Sequence, residues 1–271
     1  MVAFPNAKIN LGLYITGKRP DGYHNLETVF FPINLKDVLE IIESNEVEQV
    51  IFSSSGLIVS GDIADNLCVK AYQLLKKDFP SLPHIKMHLH KIIPMGAGMG
   101  GGSSDAAFTL LMLKEKFNLG ISQEQLLKYA LTLGSDCPFF IINKPCLAKG
   151  RGEQLTEIPL SLTAFHILII NPGIHVNTAM AFHDVKMHSS SINLEIEITK
   201  PVNIWRTSIH NDFETNVGNA HPEILAIKQK LYESGAIYSS MSGSGSTVFG
   251  IFENKINTEN IFPATCFYKW V

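Results

Sequence analysis

Charge is scarce in this sequence. Only 17% of its 271 residues are Asp, Glu, Lys or Arg, and 22 basic against 25 acidic residues leave a formal net charge of -3. No long basic run is present, which argues against nucleic acid as a partner; a small anionic ligand needs only a local cluster of donors. Low charge together with 45% hydrophobic residues excludes a disordered chain. Cysteine is scarce too: the four, Cys68, Cys137, Cys146 and Cys266, include no C-x-x-C pair. Their spacing therefore signals neither a zinc site, nor a redox motif, nor a disulfide scaffold. No apolar run approaches the roughly 20 residues that a membrane helix needs. Near the start, Asn6, Lys8 and Asn10 interrupt any apolar core of signal-peptide length. No internal repeat or low-complexity tract is visible. These absences lead to the expectation of a soluble protein of a reducing compartment, the cytoplasm, with one large domain or two small ones.

What is present begins with alternation. Ile9, Leu11, Leu13 and Ile15 point one way and Lys8, Asn10, Gly12 and Tyr14 the other, the period of a half-buried strand. Strand-like runs follow at 26–33, 38–42 and 85–90. Residues 65–79 read as a helix capped by Asp65 or Asn66. Ser122 and Gln125 form a capping box for a helix reaching about 133. Later come a buried strand at 165–171, a short helix near 177–185, and a helix at 222–234 that opens on Pro222 and closes before Gly235. Two strands are expected near 236–241 and 247–252, and a polar surface loop at 187–193. Strands and helices follow each other without a regular βαβ rhythm. That predicts an α+β fold with mixed or antiparallel sheets packed against helices, in two lobes, 1–155 and 156–271.

The strongest signal is Pro94-Met95-Gly96-Ala97-Gly98-Met99-Gly100-Gly101-Gly102-Ser103-Ser104, in which five of eleven residues are glycine. Glycines allow positive φ and let backbone N–H groups approach an anion. A helix expected to start at Ser103 or Ser104, with one of them as a possible cap, aims its positive end at the same point. The physical reading is a phosphate cradle for a nucleotide; the bland alternative is a flexible loop. Gly96, Gly98 and Gly101 satisfy G-x-G-x-x-G, but the element that follows the helix reads as another helix, not the parallel strand a dinucleotide fold needs. A Walker loop needs Gly-Lys-Ser/Thr, and Gly102 is followed by Ser103 with no lysine.

The segment running from Pro94 through Ser104 into Asp105-Ala106-Ala107 resembles the central motif of the GHMP small-molecule kinases. Ala7-Lys8-Ile9-Asn10-Leu11 resembles their opening strand, and Met241-Ser242-Gly243-Ser244-Gly245-Ser246 their C-terminal glycine motif. Further segments are similar to one branch, which phosphorylates a small polyol carrying cytidine diphosphate in the non-mevalonate route to isoprenoid precursors. They are Ile15 through His24, Gly134-Ser135-Asp136-Cys137-Pro138-Phe139-Phe140 and Asn211-Asp212-Phe213-Glu214. The resemblance implies a two-lobed GHMP kinase fold with its active site in the cleft between the lobes. It implies transfer of the ATP γ-phosphoryl group to a tertiary hydroxyl, with Mg²⁺ accompanying ATP and no nucleic acid, membrane or protein partner.

Read alone, Asp136 is a candidate helix cap, and Lys8 a solvated strand residue. The resemblance instead makes Asp136 the base for the hydroxyl proton, with Lys8 keeping it ionised and offsetting charge on the transferring group. It assigns residues 94–104 to ATP and Asn10 to the acceptor. Tyr23 would stack on the cytosine and His24 would read its edge; Phe182 is either a second stacking partner or a core residue. No carboxylate pair declares itself as a metal holder, so Mg²⁺ is expected to be held by phosphates and waters. The alternatives left open are a homoserine- or mevalonate-type kinase of the same superfamily and a nucleotide-binding homologue without catalysis.

Overall fold

In a computed structural model of the chain, the alternation of Ile85, Met87 and Leu89 becomes the strand Ile85–Lys91, with those three side chains buried and Lys86 and His90 exposed. The structure describes residues 1–182, 185 and 193–271, without the side chains of Thr178 and Ala179. The chain divides into two compact units. One holds Met1–Ala7, Asn34–Met95 and Gly100–Lys144; the other holds Lys8–Ile33, Gly96–Met99 and Pro145–Val271.

In the first unit, Ile85–Lys91 is an inner strand of a four-stranded sheet. Val38–Glu43 pairs with it antiparallel and Val50–Gly56 parallel; Val2–Ala3 lies on the outer side of Val38–Glu43. The parallel pair is joined through the helix Leu67–Asp78, as a parallel connection requires. Leu39, Ile41, Ile85, Met87 and Leu89 share one face. They join an apolar cluster with Tyr72 and Leu75 of that helix, Leu110 and Leu113 of Gly101–Lys116, and Leu126 of Gln123–Leu133. Asn66 caps Leu67–Asp78 by accepting from the Cys68 amide at 2.9 Å. Ser122 and Gln125 form the expected capping box.

The second unit carries two further four-stranded sheets. In one the order is Asn6–Lys18, His24–Lys36, Cys146–Gly150, Gln154–Glu157, the first strand beginning two residues earlier in the chain than the unit itself. In the other it is Tyr238–Met241, Val248–Phe252, His166–Asn171, Phe267–Trp270, all antiparallel. The helices Phe213–Ala220 and Pro222–Glu233 pack on this sheet. Phe213, Val217, Ile224 and Leu231 meet Leu168, Ile170, Val248 and Phe252.

One expectation fails at Asn6–Lys18. The strand is buried on both faces from residue 6 to 15, not on one. Within the second unit the polar face is covered by distant chain. A Cβ at Gly12 would meet Ile209 and Leu194, and Tyr14 donates to the Ser208 carbonyl. The expected loop at 187–193 lies, apart from Asn193, outside the described residues. Among the described residues no helix is long and apolar enough to cross a membrane.

Candidate active site

Gly96, Gly98 and Gly100 all take positive φ, at 61°, 76° and 68°. In the second unit the reason at Gly98 is close approach: a Cβ there would lie 2.0 Å from the Ser242 carbonyl oxygen. The two glycine motifs thus meet backbone to backbone, and a Cβ at Gly243 would lie 3.3 Å from the Gly98 Cα. Ser242 Oγ donates to the Gly98 carbonyl at 2.8 Å and accepts from the Asn10 amide at 3.2 Å. Lys8 Nζ donates to Asn10 Oδ1 at 2.6 Å and to the Gly98 carbonyl at 3.1 Å, and lies 4.9 Å from the centre of the Phe30 ring. Asn10 Nδ2 donates to Thr28 Oγ1 at 2.9 Å. Lys8 is 4% exposed, so it is not a solvated strand residue; a buried ammonium persists only with acceptors around it.

The Asn211–Glu214 segment organises the second glycine motif. Asn211 Nδ2 donates to the Met241 and Gly243 carbonyls, each at 2.8 Å. Glu214 accepts from the Met241 amide at 2.8 Å and from Lys228 at 2.6 Å. Asp212 accepts from the Ile15 amide at 2.8 Å.

In the first unit the helix Gly101–Lys116 opens two residues before Ser103, with Gly100 as N-cap and no side-chain cap. Ser103 and Ser104 therefore lie within the first turn rather than capping it. A left-handed Gly100 reverses the chain without help from a hydroxyl. The Ser104 amide makes the first intrahelical bond, to Gly100, which leaves the preceding amides at the positive end of the helix. Ser104 Oγ is buried with no hydrogen-bond partner among the described residues. Beside this turn lies a cavity of about 380 Å³ whose lining includes Phe52, Leu67, Leu89, Met95, Gly102 and Asp105. Its lining mixes apolar side chains such as Phe52, Leu67 and Leu89 with polar ones such as Ser54, Asp62 and Asn66. A larger groove of about 900 Å³ in the second unit, lined by residues such as Leu160, Phe165 and Trp205, contains neither glycine motif.

Asp136 stands at the N-cap position of Cys137–Ile142, but its side chain makes no capping bond, so the cap reading fails. The Cys137 thiol is pushed up to about 12 by burial, moderated by its hydrogen bond with Ser103. That bond ties the Asp136 turn to the start of the helix Gly101–Lys116.

Near the start of His24–Lys36, the His24 ring stacks on Phe182 with centroids 5.0 Å apart and 14° between planes; Phe182 in turn meets Phe213 edge-on. Tyr23 is 53% exposed, and the Arg151 guanidinium lies 3.9 Å over its ring. Tyr23 and Phe182 are thus aromatic faces that are each already covered, Tyr23 by Arg151 and Phe182 by His24.

Sequence reasoning passed over a buried cluster behind the glycine loop. Lys91 Nζ lies 2.5 Å from Asp37 Oδ2 and 2.7 Å from Asp105 Oδ2, and all three side chains are almost fully buried. Asp37 Oδ1 also accepts from the Ile92 and Ile93 amides. Burial pulls the Lys91 ammonium down, but the two carboxylates outweigh it and hold it above its ordinary value. Burial raises Asp105 to about 7 against the opposing pull of Lys91. The one available signal was position: Asp105 directly follows Ser103-Ser104. Among the described residues no group of three or more His, Cys, Asp or Glu side chains is arranged to hold a metal ion.

Comparison with known proteins places the chain in a family. The family profile for the N terminal domain of GHMP kinases matches residues 66–144, and that for their C terminal domain matches 202–264. A 4-diphosphocytidyl-2-C-methyl-D-erythritol kinase of Bacteroides thetaiotaomicron is 54% identical over 254 residues, which cover 93% of this chain and 92% of that protein. A crystal structure of 4-(cytidine 5'-diphospho)-2C-methyl-D-erythritol kinase superposes with a TM-score of 0.81 at 30% identity, over 93% of this chain and 90% of the other. The mevalonate kinase of Methanococcus jannaschii shares the fold, with a TM-score of 0.66 at 16% identity over 93% and 90% of the two chains.

Proposed function

The chain belongs to the 4-diphosphocytidyl-2-C-methyl-D-erythritol kinase family of the GHMP kinases, and from that premise we propose that it transfers the γ-phosphoryl group of ATP to the tertiary 2-hydroxyl of 4-diphosphocytidyl-2-C-methyl-D-erythritol. The reaction belongs to the non-mevalonate route to isoprenoid precursors. The observation that carries the reading is the meeting of the two glycine motifs at Gly98 and Ser242, with Lys8 and Asn10 hydrogen-bonded into the same point. The Lys8 amino group is buried there, donating to the Gly98 carbonyl and to the Asn10 side-chain oxygen, which suits a site that receives phosphoryl charge.

In this reading residues 94–104 hold the ATP phosphates with backbone amides and the helix terminus. The base occupies the cavity beside Phe52, Leu67 and Leu89. Asp136 takes the hydroxyl proton, and Lys8 offsets the charge that develops on the transferring group. Asn10 orients the acceptor. Tyr23 and Phe182 stack on the cytosine while His24 leaves Phe182 to read the edge of the base; a flat ring then replaces the imidazole in the stack. Mg²⁺, when bound, neutralises charge between the phosphates. The same reading has Mg²⁺ held by phosphates and waters. Along the sequence the reading divides the chain into lobes 1–155 and 156–271, with the family matches at 66–144 and 202–264 on either side of residue 155 as support, although the compact units group residues 8–33 and 96–99 with the later part of the chain. The working compartment is the cytoplasm, and the partners are small molecules only.

The test is ADP release with ATP, Mg²⁺ and the cytidylyl substrate, beside homoserine, mevalonate and galactose. Turnover with the cytidylyl substrate alone is the expected result. Turnover with another alcohol would overturn the roles of Tyr23, His24 and Phe182, and ATP binding without turnover on any alcohol would favour a non-catalytic homologue.

A further inference from the structure

Lys91 is buried directly behind the glycine cradle. A Cβ placed on Gly101, the first residue of the helix, would lie 2.9 Å from Lys91 Nζ. Its charge faces two carboxylates, so the cluster carries one excess negative charge whenever both are ionised. Such a charge in the interior is costly, and a shared proton removes it. The hydrogen bonds decide where that proton sits. Asp37 accepts from Lys91 and from two backbone amides. Among the described residues the Asp105 carboxylate accepts only from Lys91; its other neighbour is the Asp37 carboxylate, with which it bonds only by sharing a proton, and its Oδ1 is buried with no partner. An ionised orphan oxygen costs more than a protonated one. Every other group facing Asp105 leaves this balance in place. The Cys68 thiol on Leu67–Asp78 is pushed up by burial and stays neutral; Thr109, one turn further along the helix, donates to the Asp105 carbonyl. Asp105 also lines the cavity beside Gly102, so its charge state is felt where a nucleotide would lie.

We propose that Lys91, Asp37 and Asp105 form a charge-balancing support behind the cradle, and that Asp105 holds a proton when a nucleotide polyphosphate is bound. Protonated, the cluster is neutral and leaves the positive end of the helix unopposed. Ionised, it sets a net negative charge behind the phosphates and repels them. Asp105 is then a positioning residue, and nucleotide binding takes up a proton above neutral pH. Burial lifts its carboxyl to about 7, which puts the change in the accessible range.

The inference rests on the kinase reading, and its test separates the two. ATP affinity is measured by calorimetry on the full chain from pH 6 to 8, in buffers of differing ionisation heat, for wild type and Asp105→Asn. Affinity of the wild type falls about tenfold more than that of the variant across this range, the limit for one required proton with a pKa about 7. Binding heat at pH 8 depends on the buffer for the wild type and not for the variant. The same pH slope in both proteins overturns the proposal, as does a folded Asp105→Asn that no longer binds ATP. Should the variant fail to fold, the buffer dependence of the wild type decides alone: no proton uptake at pH 8 refutes the support. A wild type that binds no ATP at any pH overturns the kinase reading itself.

Discussion

Gly98→Ala tests whether the two glycine motifs meet as described. The added Cβ lies 2.0 Å from the Ser242 carbonyl oxygen and 2.9 Å from its carbon, both backbone atoms that cannot rotate away. Gly98 also holds φ at 76°, where a side chain is strained by about 1–2 kcal/mol. Relief of the clash separates the loops and breaks the bond from Ser242 Oγ to the Gly98 carbonyl, which contributes about 0.5–1.5 kcal/mol. Together these lower stability by about 1.5–3.5 kcal/mol, a fall of roughly 3–14 °C in melting temperature for a chain of this size. Gly102→Ala provides the contrast. Its nearest neighbour would be Leu67 Cδ1 at 3.9 Å, and its φ is not positive. In a helix this change stabilises by about 0.5–1 kcal/mol, yet Gly102 lines the cavity, so under the proposed placement of ATP the methyl group intrudes on the nucleotide. Melting curves and KM for ATP on both variants are the assay. Gly98→Ala melts low; Gly102→Ala melts at or above wild type with a raised KM for ATP. A Gly98→Ala protein that melts within a degree of wild type would show that the motifs do not touch.

Three other outcomes follow from the geometry. Asp136→Asn lowers turnover by about a hundredfold or more, the range for a lost general base, while ATP affinity stays within a few-fold; near-normal turnover removes Asp136 from the mechanism. Phe182→Ala raises KM for the cytidylyl substrate about tenfold, the effect of about 1.4 kcal/mol of lost stacking, and leaves KM for ATP alone; equal changes in both constants would return Phe182 to the core. Asp105 makes stability fall with rising pH. Its carboxyl is raised from 3.8 to about 7 by burial, so the fold holds a proton that the unfolded chain releases above pH about 4. Wild type loses stability relative to Asp105→Asn between pH 4 and 7 and levels off above, and denaturant melts with parallel pH profiles would contradict the assignment.

How much of this was legible depended on the range of the interaction. Ile85, Met87 and Leu89 announced their strand, Asn66 its cap, and Ser122 with Gln125 its box, because each signal lies within a few residues. The start of the cradle helix was misplaced for the same reason: Gly100 caps by its backbone angle, and a glycine leaves no side-chain signature among other glycines. The helices Val202–Ser208 and Phe213–Ala220 were missed, being short and held by packing rather than periodicity. The second buried face of Asn6–Lys18 was illegible because Ile209 and Leu194, which cover it, lie far along the chain. The Lys91 cluster is the sharpest case. Its partners stand 54 and 14 positions away, and neither Asp37 nor Asp105 looks unusual beside its own neighbours. The glycine motifs were readable because a phosphate cradle must be built from consecutive backbone. A charge placed behind it can come from anywhere in the fold, and only the folded chain shows which lysine and which carboxylates supply it.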